Sequence, residues 1–182
     1  MDKLVECLSF LLSQNNHRID KNEICVSVAY NFPQENSTVW KWVNMRDEKG
    51  LTIEELSSPE TTFQYLLNNA NEKSPFVFLN SKQKAYLERH YIPDQEDCRN
   101  EEGNLLGSIA CYRLSLKKSD TVYVSDILSI STYNKQFVSV DDETVDASEN
   151  SRINAVKENI RKNILPEFAH RINIELCNIT IQ

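Results

Sequence analysis

Between Gly107 and Thr132, apolar and polar residues alternate through two consecutive runs joined by a polar turn. The first run reads Ser-Ile-Ala-Cys-Tyr-Arg-Leu, and the second reads Val-Tyr-Val-Ser-Asp-Ile-Leu-Ser-Ile-Ser-Thr. A period of two places successive side chains on opposite faces, so both runs are half-buried strands, and the turn between them makes a hairpin. A chain with such a hairpin must be built around a sheet.

The flanking segments say what the sheet pairs with and what covers it. Leu4, Val5, Leu8, Leu11 and Leu12 recur at helical spacing and predict an opening helix within residues 1–16. Ile24, Val26, Val28, Tyr30 and Phe32 then share one strand face, with Cys25, Ser27 and Ala29 on the other. After a turn at Pro33 to Ser37, Val39 to Val43 reads as the second strand of a hairpin. Ser58, Pro59 and Glu60 have the form of a helix start, followed by the stripe Phe63, Leu66, Leu67 and Ala70. Asn71 to Pro75 breaks that helix, and Phe76 to Leu79 is a short apolar strand. Gln83 to Tyr91 predicts a short helix and Pro93 to Gly103 a polar, acidic loop. A long helix spans 148–176, carrying Ile153, Val156, Ile160, Ile164, Phe168 and Ile172 inward, with Pro166 interrupting its hydrogen bonds. Its last part, Ile172 to Leu176, also alternates like a strand; the spacing to Ile179 favours helix.

Length and charge narrow the function classes. The 182 residues fit one domain over 1–182. A balance of 20 Lys and Arg against 27 Asp and Glu, net −7, argues against nucleic acid, which leaves a basic footprint on proteins that bind it. No apolar run approaches the roughly 20 residues that span a bilayer, and no basic, cleavable leader precedes Leu8 to Leu12. The cysteines Cys7, Cys25, Cys98, Cys111 and Cys177 are odd in number and form no C-x-x-C pair, the pattern of reduced cytoplasmic thiols. Three glycines in the whole chain leave no glycine-rich phosphate loop, so no cofactor is expected.

Past the hairpin, Asn134-Lys135 is followed after one residue by Phe137, then Val-Ser-Val and Asp141-Asp142. This is similar to the signature of phosphodiesterase GAF domains: Asn-Lys, a spacer, Phe, three residues, then Asp-Glu. Here the spacer is shorter and Asp142 stands in place of Glu. Together with the order of elements, the chain resembles a GAF domain, a small-molecule sensor module. The resemblance implies an α+β, GAF-like (PAS/GAF-type) fold: a central antiparallel sheet with helices from both termini packed on one face. It implies a non-catalytic sensor or regulatory domain that binds a small intracellular ligand, signals through its terminal helices, and forms a homodimer. Its pocket would lie between one sheet face and the segments after the third strand, near Phe78, Asn80, Ser108, Ala110 and Tyr112. The alternative is a ligand-free dimerisation or interaction module of a larger protein.

Several groups bear on that ligand. Lys82, Lys84, Arg89 and His90, interleaved with Tyr86 and Tyr91, form either the solvated face of a surface helix or a pocket wall that holds a phosphate and stacks a base. The second arrangement makes a nucleotide-type anion the leading ligand class. The small residues Cys25, Ser27, Ala29, Ser125, Ser129 and Ser131, with Ser108 and Ala110 between, suit close helix packing or a cavity floor. Asp94, Glu96, Asp97, Glu101 and Glu102 read as a solvated, mobile lid, since they lack calcium-loop spacing. Lys135 and Asp141 form a structural clamp over Phe137, worth at most about 1 kcal/mol if exposed. Cys98 with His90, and Cys111 with His170, are the only nucleophile–base pairs to weigh, and neither sits in a catalytic signature. No histidine spacing suggests a metal, and no catalysis is expected. Trp40 and Trp42 project to one strand face as packing residues.

Overall fold

Ile24 on the first strand lies opposite Thr132 on the last, and this long-range antiparallel pairing organises the molecule. The computed structural model describes residues 1–13, 18–32, 40–43, 51–69, 75–118, 121–140 and 147–180. Asn15, Asn16, the turn at Pro33 to Ser37, Asn71 and Asp141 all lie outside the described residues.

Five strands form one antiparallel sheet in the order β2-β1-β5-β4-β3. They are β1 (Ile24–Asn31), β2 (Lys41–Trp42), β3 (Phe76–Leu79), β4 (Ile109–Lys118) and β5 (Thr121–Thr132). The helices are α1 (Asp2–Leu12), α2 (Ile53–Leu56), α3 (Thr62–Asn69), α4 (Lys82–Leu87), α5 (Ala147–Asn159) and α6 (Leu165–Thr180). The fold is α+β with an open sheet, and each strand anticipated from alternation is present.

The two faces of the sheet differ in what covers them. Leu4, Leu8 and Leu12 of α1, with Ile160 and Leu165, pack on Val26, Val28, Leu128 and Ile130. Burying each such side chain contributes about 1.5–3 kcal/mol, so this face carries most of the core. Both terminal helices therefore sit on one side. Trp40, Leu56, Phe63 and Leu66 cover Ala29, Cys111 and Ile127 on the opposite face, and Trp40 meets Phe63 edge-on at 4.7 Å.

The long C-terminal helix contains a π-helical stretch, Ile160–Ile164, where Leu165 N–H donates to Ile160 O. Pro166 follows it after Leu165. Widening the turn there relieves the clash between the proline ring and the carbonyl one turn back. Residues 172–176 continue as helix, with Ile172 and Leu176 turned to the sheet.

The third helix does not start at Ser58. Ser58 N–H donates to Glu55 O, closing the short α2 that sequence reading overlooked. Thr61 caps α3 instead: its Oγ1 accepts from Gln64 N–H at 3.1 Å and donates to Leu56 O at 3.0 Å. Helix α4 is also shorter than anticipated, because Arg89 adopts φ 58° and ends the helical turn.

Candidate functional site

Register decides which side chains share the face that the described residues cover less. Cys25 lies opposite Ser131, Ser27 opposite Ser129, and Cys111 opposite Ser129 on its other side. Cys25, Ser27, Ser129 and Ser131 are half-buried, while Ala29, Cys111 and Ile127 beside them are sealed under Trp40 and Phe63. Four small side chains thus floor a hollow in the middle of the sheet. Trp42, Ile53 and Phe63 wall one side, and Tyr91, Asp94, Glu96 and Tyr133 wall the other. The cavity measures about 1440 Å³ in all and continues past the outer edge of β1 to Lys3 and Arg171 on the opposite face.

The polar wall is built on a buried ion pair. Gly107, at φ +88°, makes the turn into β4, and its carbonyl accepts Lys82 N–H at 3.0 Å. This sends the Lys82 side chain inward, where Nζ meets Asp97 Oδ1 at 2.6 Å with the two side chains 0% and 2% exposed. Tyr91 Oη donates to Asp97 Oδ2 at 2.6 Å, and Asp94 N–H donates to the same oxygen at 2.9 Å. The ammonium stands 4.2 Å from the ring centre of Tyr133 and 5.2 Å from that of Tyr91. Burial pulls the Lys82 ammonium below its ordinary range, and Asp97 opposes that shift. Loss of water, then the Asp97 charge, holds the Asp94 carboxyl above its usual range. Burial likewise raises the Tyr133 phenol, which bonds to the Cys25 and Glu96 side chains.

The residues chosen from sequence separate into three places. Phe78, Ala110 and Tyr112 face the terminal helices and belong to the main core. The grouping of Ser108 and Ala110 with the small residues is therefore corrected: one position along β4, Cys111 is the member of that face. Asn80 and Ser108 are braces. Asn80 Nδ2 donates to Val138 O at 2.8 Å, Asn80 Oδ1 accepts Val138 N–H at 2.9 Å, and Ser108 Oγ accepts Phe137 N–H at 2.8 Å. Lys82 and Tyr91 join the polar wall, whereas Lys84 and Arg89 point to solvent beside Glu88 and Glu60. The basic cluster does not converge.

The Asn-Lys signature is also structural in its described part. Asn134 borders a groove beside α1, and Lys135 reaches Glu23 at 3.2 Å and Arg18 O at 2.8 Å. Phe137 is buried against Phe78 at 5.2 Å, the core plug anticipated for it. Glu96, Glu101 and Glu102 of the acidic loop are exposed as read from composition, but Asp97 is not solvated and the loop is tied down, which corrects the rest of that reading. Asp97 is buried, Leu106 N–H donates to Cys98 O at 2.9 Å, and Arg99 pairs with Leu105 as an isolated bridge.

The cysteine–histidine pairs do not assemble. His90 stacks on Tyr65 at 3.9 Å, and Cys98 Sγ donates to Glu96 O. Burial pushes the Cys111 thiol up to about 12, on the face away from α6 and His170. Among the described residues no three His, Cys, Asp or Glu side chains gather to hold a metal, and no helix is long and apolar enough to cross a membrane.

Asp94, Cys111, Tyr133 and Trp42 belong to the hollow without having been chosen from sequence. Counting parity from Cys111 rather than Ala110 was the signal available for one of them. Comparison with family models, curated proteins and solved structures finds no match to this chain.

Proposed function

We propose that this chain is a non-catalytic sensor or regulatory domain, of GAF type, that takes a small molecule in the hollow over Ser27 and Ser129. The observation that carries the reading is the half-exposed floor of small residues in mid-sheet, bordered by aromatic walls. An antiparallel sheet with both terminal helices on one face supports the GAF type, and so does a pocket wall supplied by the segment after β3. Transmission runs through single strands: Ser27 faces the hollow while Val26 and Val28 carry α1 and α6. Occupancy moves those helices only as far as the ligand binds one arrangement better than the other. A nucleotide-type anion gains no support from the geometry, because Lys82 is committed to Asp97 and Lys84 and Arg89 stand apart.

The test is a thermal-shift screen of metabolites against the native protein and Ser129→Leu, which fills the floor. A ligand near 100 times its Kd adds about 2.7 kcal/mol to the native protein. The reading expects that shift to vanish in folded Ser129→Leu; an equal shift in both proteins would overturn it.

A second reading, a ligand-free homodimerisation module, is favoured by Phe10 of α1, which is 84% exposed, and Ile174 of α6, which is also exposed. It expects a stable dimer by sedimentation that Phe10→Ser dissociates, and a screen without hits.

A further inference from the structure

We propose that the ligand of this hollow carries a protonated amine on an apolar body, with the ammonium held by Asp94 and Glu96 before the ring of Tyr133. The inference rests on the reading of the hollow as a ligand site and adds the chemistry of its occupant.

Charge is the first argument. Half-buried Asp94 and exposed Glu96 line this wall with buried Asp97 behind it, and among the described residues the ammonium buried there, that of Lys82, closes on Asp97. The Asp94 carboxylate accepts the Glu96 N–H, and among the described residues no basic side chain forms a direct ion pair with it. Asp94 and Asp97 share the single charge of Lys82, so this partly desolvated wall keeps carboxylate charge in excess, which a ligand cation would offset. The same field repels an anion.

The second argument is independent of that count. The fold already houses an ammonium of its own at this wall: Lys82 Nζ lies 4.2 Å from the Tyr133 ring centre and 2.6 Å from a carboxylate. Tyr133 and Asp94 both border the hollow as well, so an entering amine meets the same pairing of ring and carboxylate. Trp42 and Phe63 across the floor suit an apolar or aromatic body, and Ser27 and Ser129 offer hydroxyls beneath it. The basic groups Lys3 and Arg171 border the cavity only beyond the β1 edge.

The experiment uses three probes of one shape: phenethylamine, its N-acetyl amide and phenylacetate. Each is titrated at millimolar concentration into the native protein, Asp94→Asn and Ser129→Leu, and followed by thermal shift and by amide NMR shifts. Asp94→Asn retains an oxygen for the Glu96 N–H, so its fold is preserved. Binding of the amine alone is expected, weakened tenfold or more in Asp94→Asn and lost in Ser129→Leu. Amide or phenylacetate binding as tight as the amine, an indifferent Asp94→Asn, or silence from the amine would each overturn the inference. A neutral ligand lost in Ser129→Leu would sink the amine and keep the hollow. Amine binding that survives Ser129→Leu, and the smaller Ser129→Val, would sink the hollow itself.

Discussion

Lys82 and Asp97 meet at 2.6 Å inside the protein, and neither side chain reaches solvent. The pair joins the start of α4 to a loop of acidic composition and holds that loop against the sheet end. The two partners are not equivalent, because Asp97 also accepts Tyr91 Oη and Asp94 N–H. Asp97→Ala leaves a buried ammonium without its bonded anion and is expected to cost about 3–5 kcal/mol. Lys82→Met leaves the carboxylate two donors and should cost clearly less. Urea unfolding of both variants decides the order; the reverse order would show that the pair does not anchor the loop.

Asp126 is fully buried, lies opposite Tyr30 and Leu114, and has neither carboxylate oxygen bonded among the described residues. Burial alone pushes its carboxyl from 3.8 up to about 7. The folded state thus holds a proton that the unfolded chain has released. Its contribution to stability is fully present below about pH 4 and is lost as pH rises through 7. The full span is on the order of 4 kcal/mol. Asp126→Asn should remove this fall from a series of denaturation curves between acid and mildly alkaline pH. An unchanged slope in the variant would show that another group is responsible.

Two glycines with positive φ make a matched contrast. A Cβ on Gly107 would stand 2.0 Å from Thr132 O, whereas one on Gly103 meets nothing within 4 Å. Gly103→Ala should cost only the roughly 1–2 kcal/mol of the left-handed conformation. Gly107→Ala must also force β4 from β5 and is expected to exceed about 4 kcal/mol. Thermal melts that rank them equally would refute the close approach.

Thr61, with its hydroxyl bonded at both ends of the α2–α3 corner, should lose about 1–2 kcal/mol on conversion to alanine, and Thr61→Ser should recover most of it. Ser58→Ala, at the position where the sequence pattern alone begins the helix, should fall within about 0.5 kcal/mol of the native protein.

These four tests also mark where sequence was informative. Periodicity is a local property, and it revealed α1, β1, the β4–β5 hairpin and the helical tail at Ile172 because each repeats over a few residues, while β3 showed as a short apolar run. Which face of β4 meets the hollow is not local. It depends on the Gly107 turn fixing Ile109 opposite Ser131, so reading from Ala110 gave the wrong parity. The acidic loop misled for a related reason: Asp97 looks solvated by composition, yet its neutralising partner lies fifteen positions earlier, at the start of α4. Thr61 was missed because Ser58-Pro59-Glu60 satisfies the local preferences of a helix start while its amide closes the preceding turn.

The pairing of β1 with β5 also bears on how the protein comes into being. Ile24 waits for Thr132, so the first strand emerges during synthesis long before its neighbour exists. Local contacts can form α1 early, but the sheet has no centre until most of the chain has been translated. Such distant closure slows folding and leaves the apolar face of β1 unsheltered meanwhile. A chain stopped at any point before the final hairpin is thus an incomplete fold, its first strand still without the neighbour that shelters it.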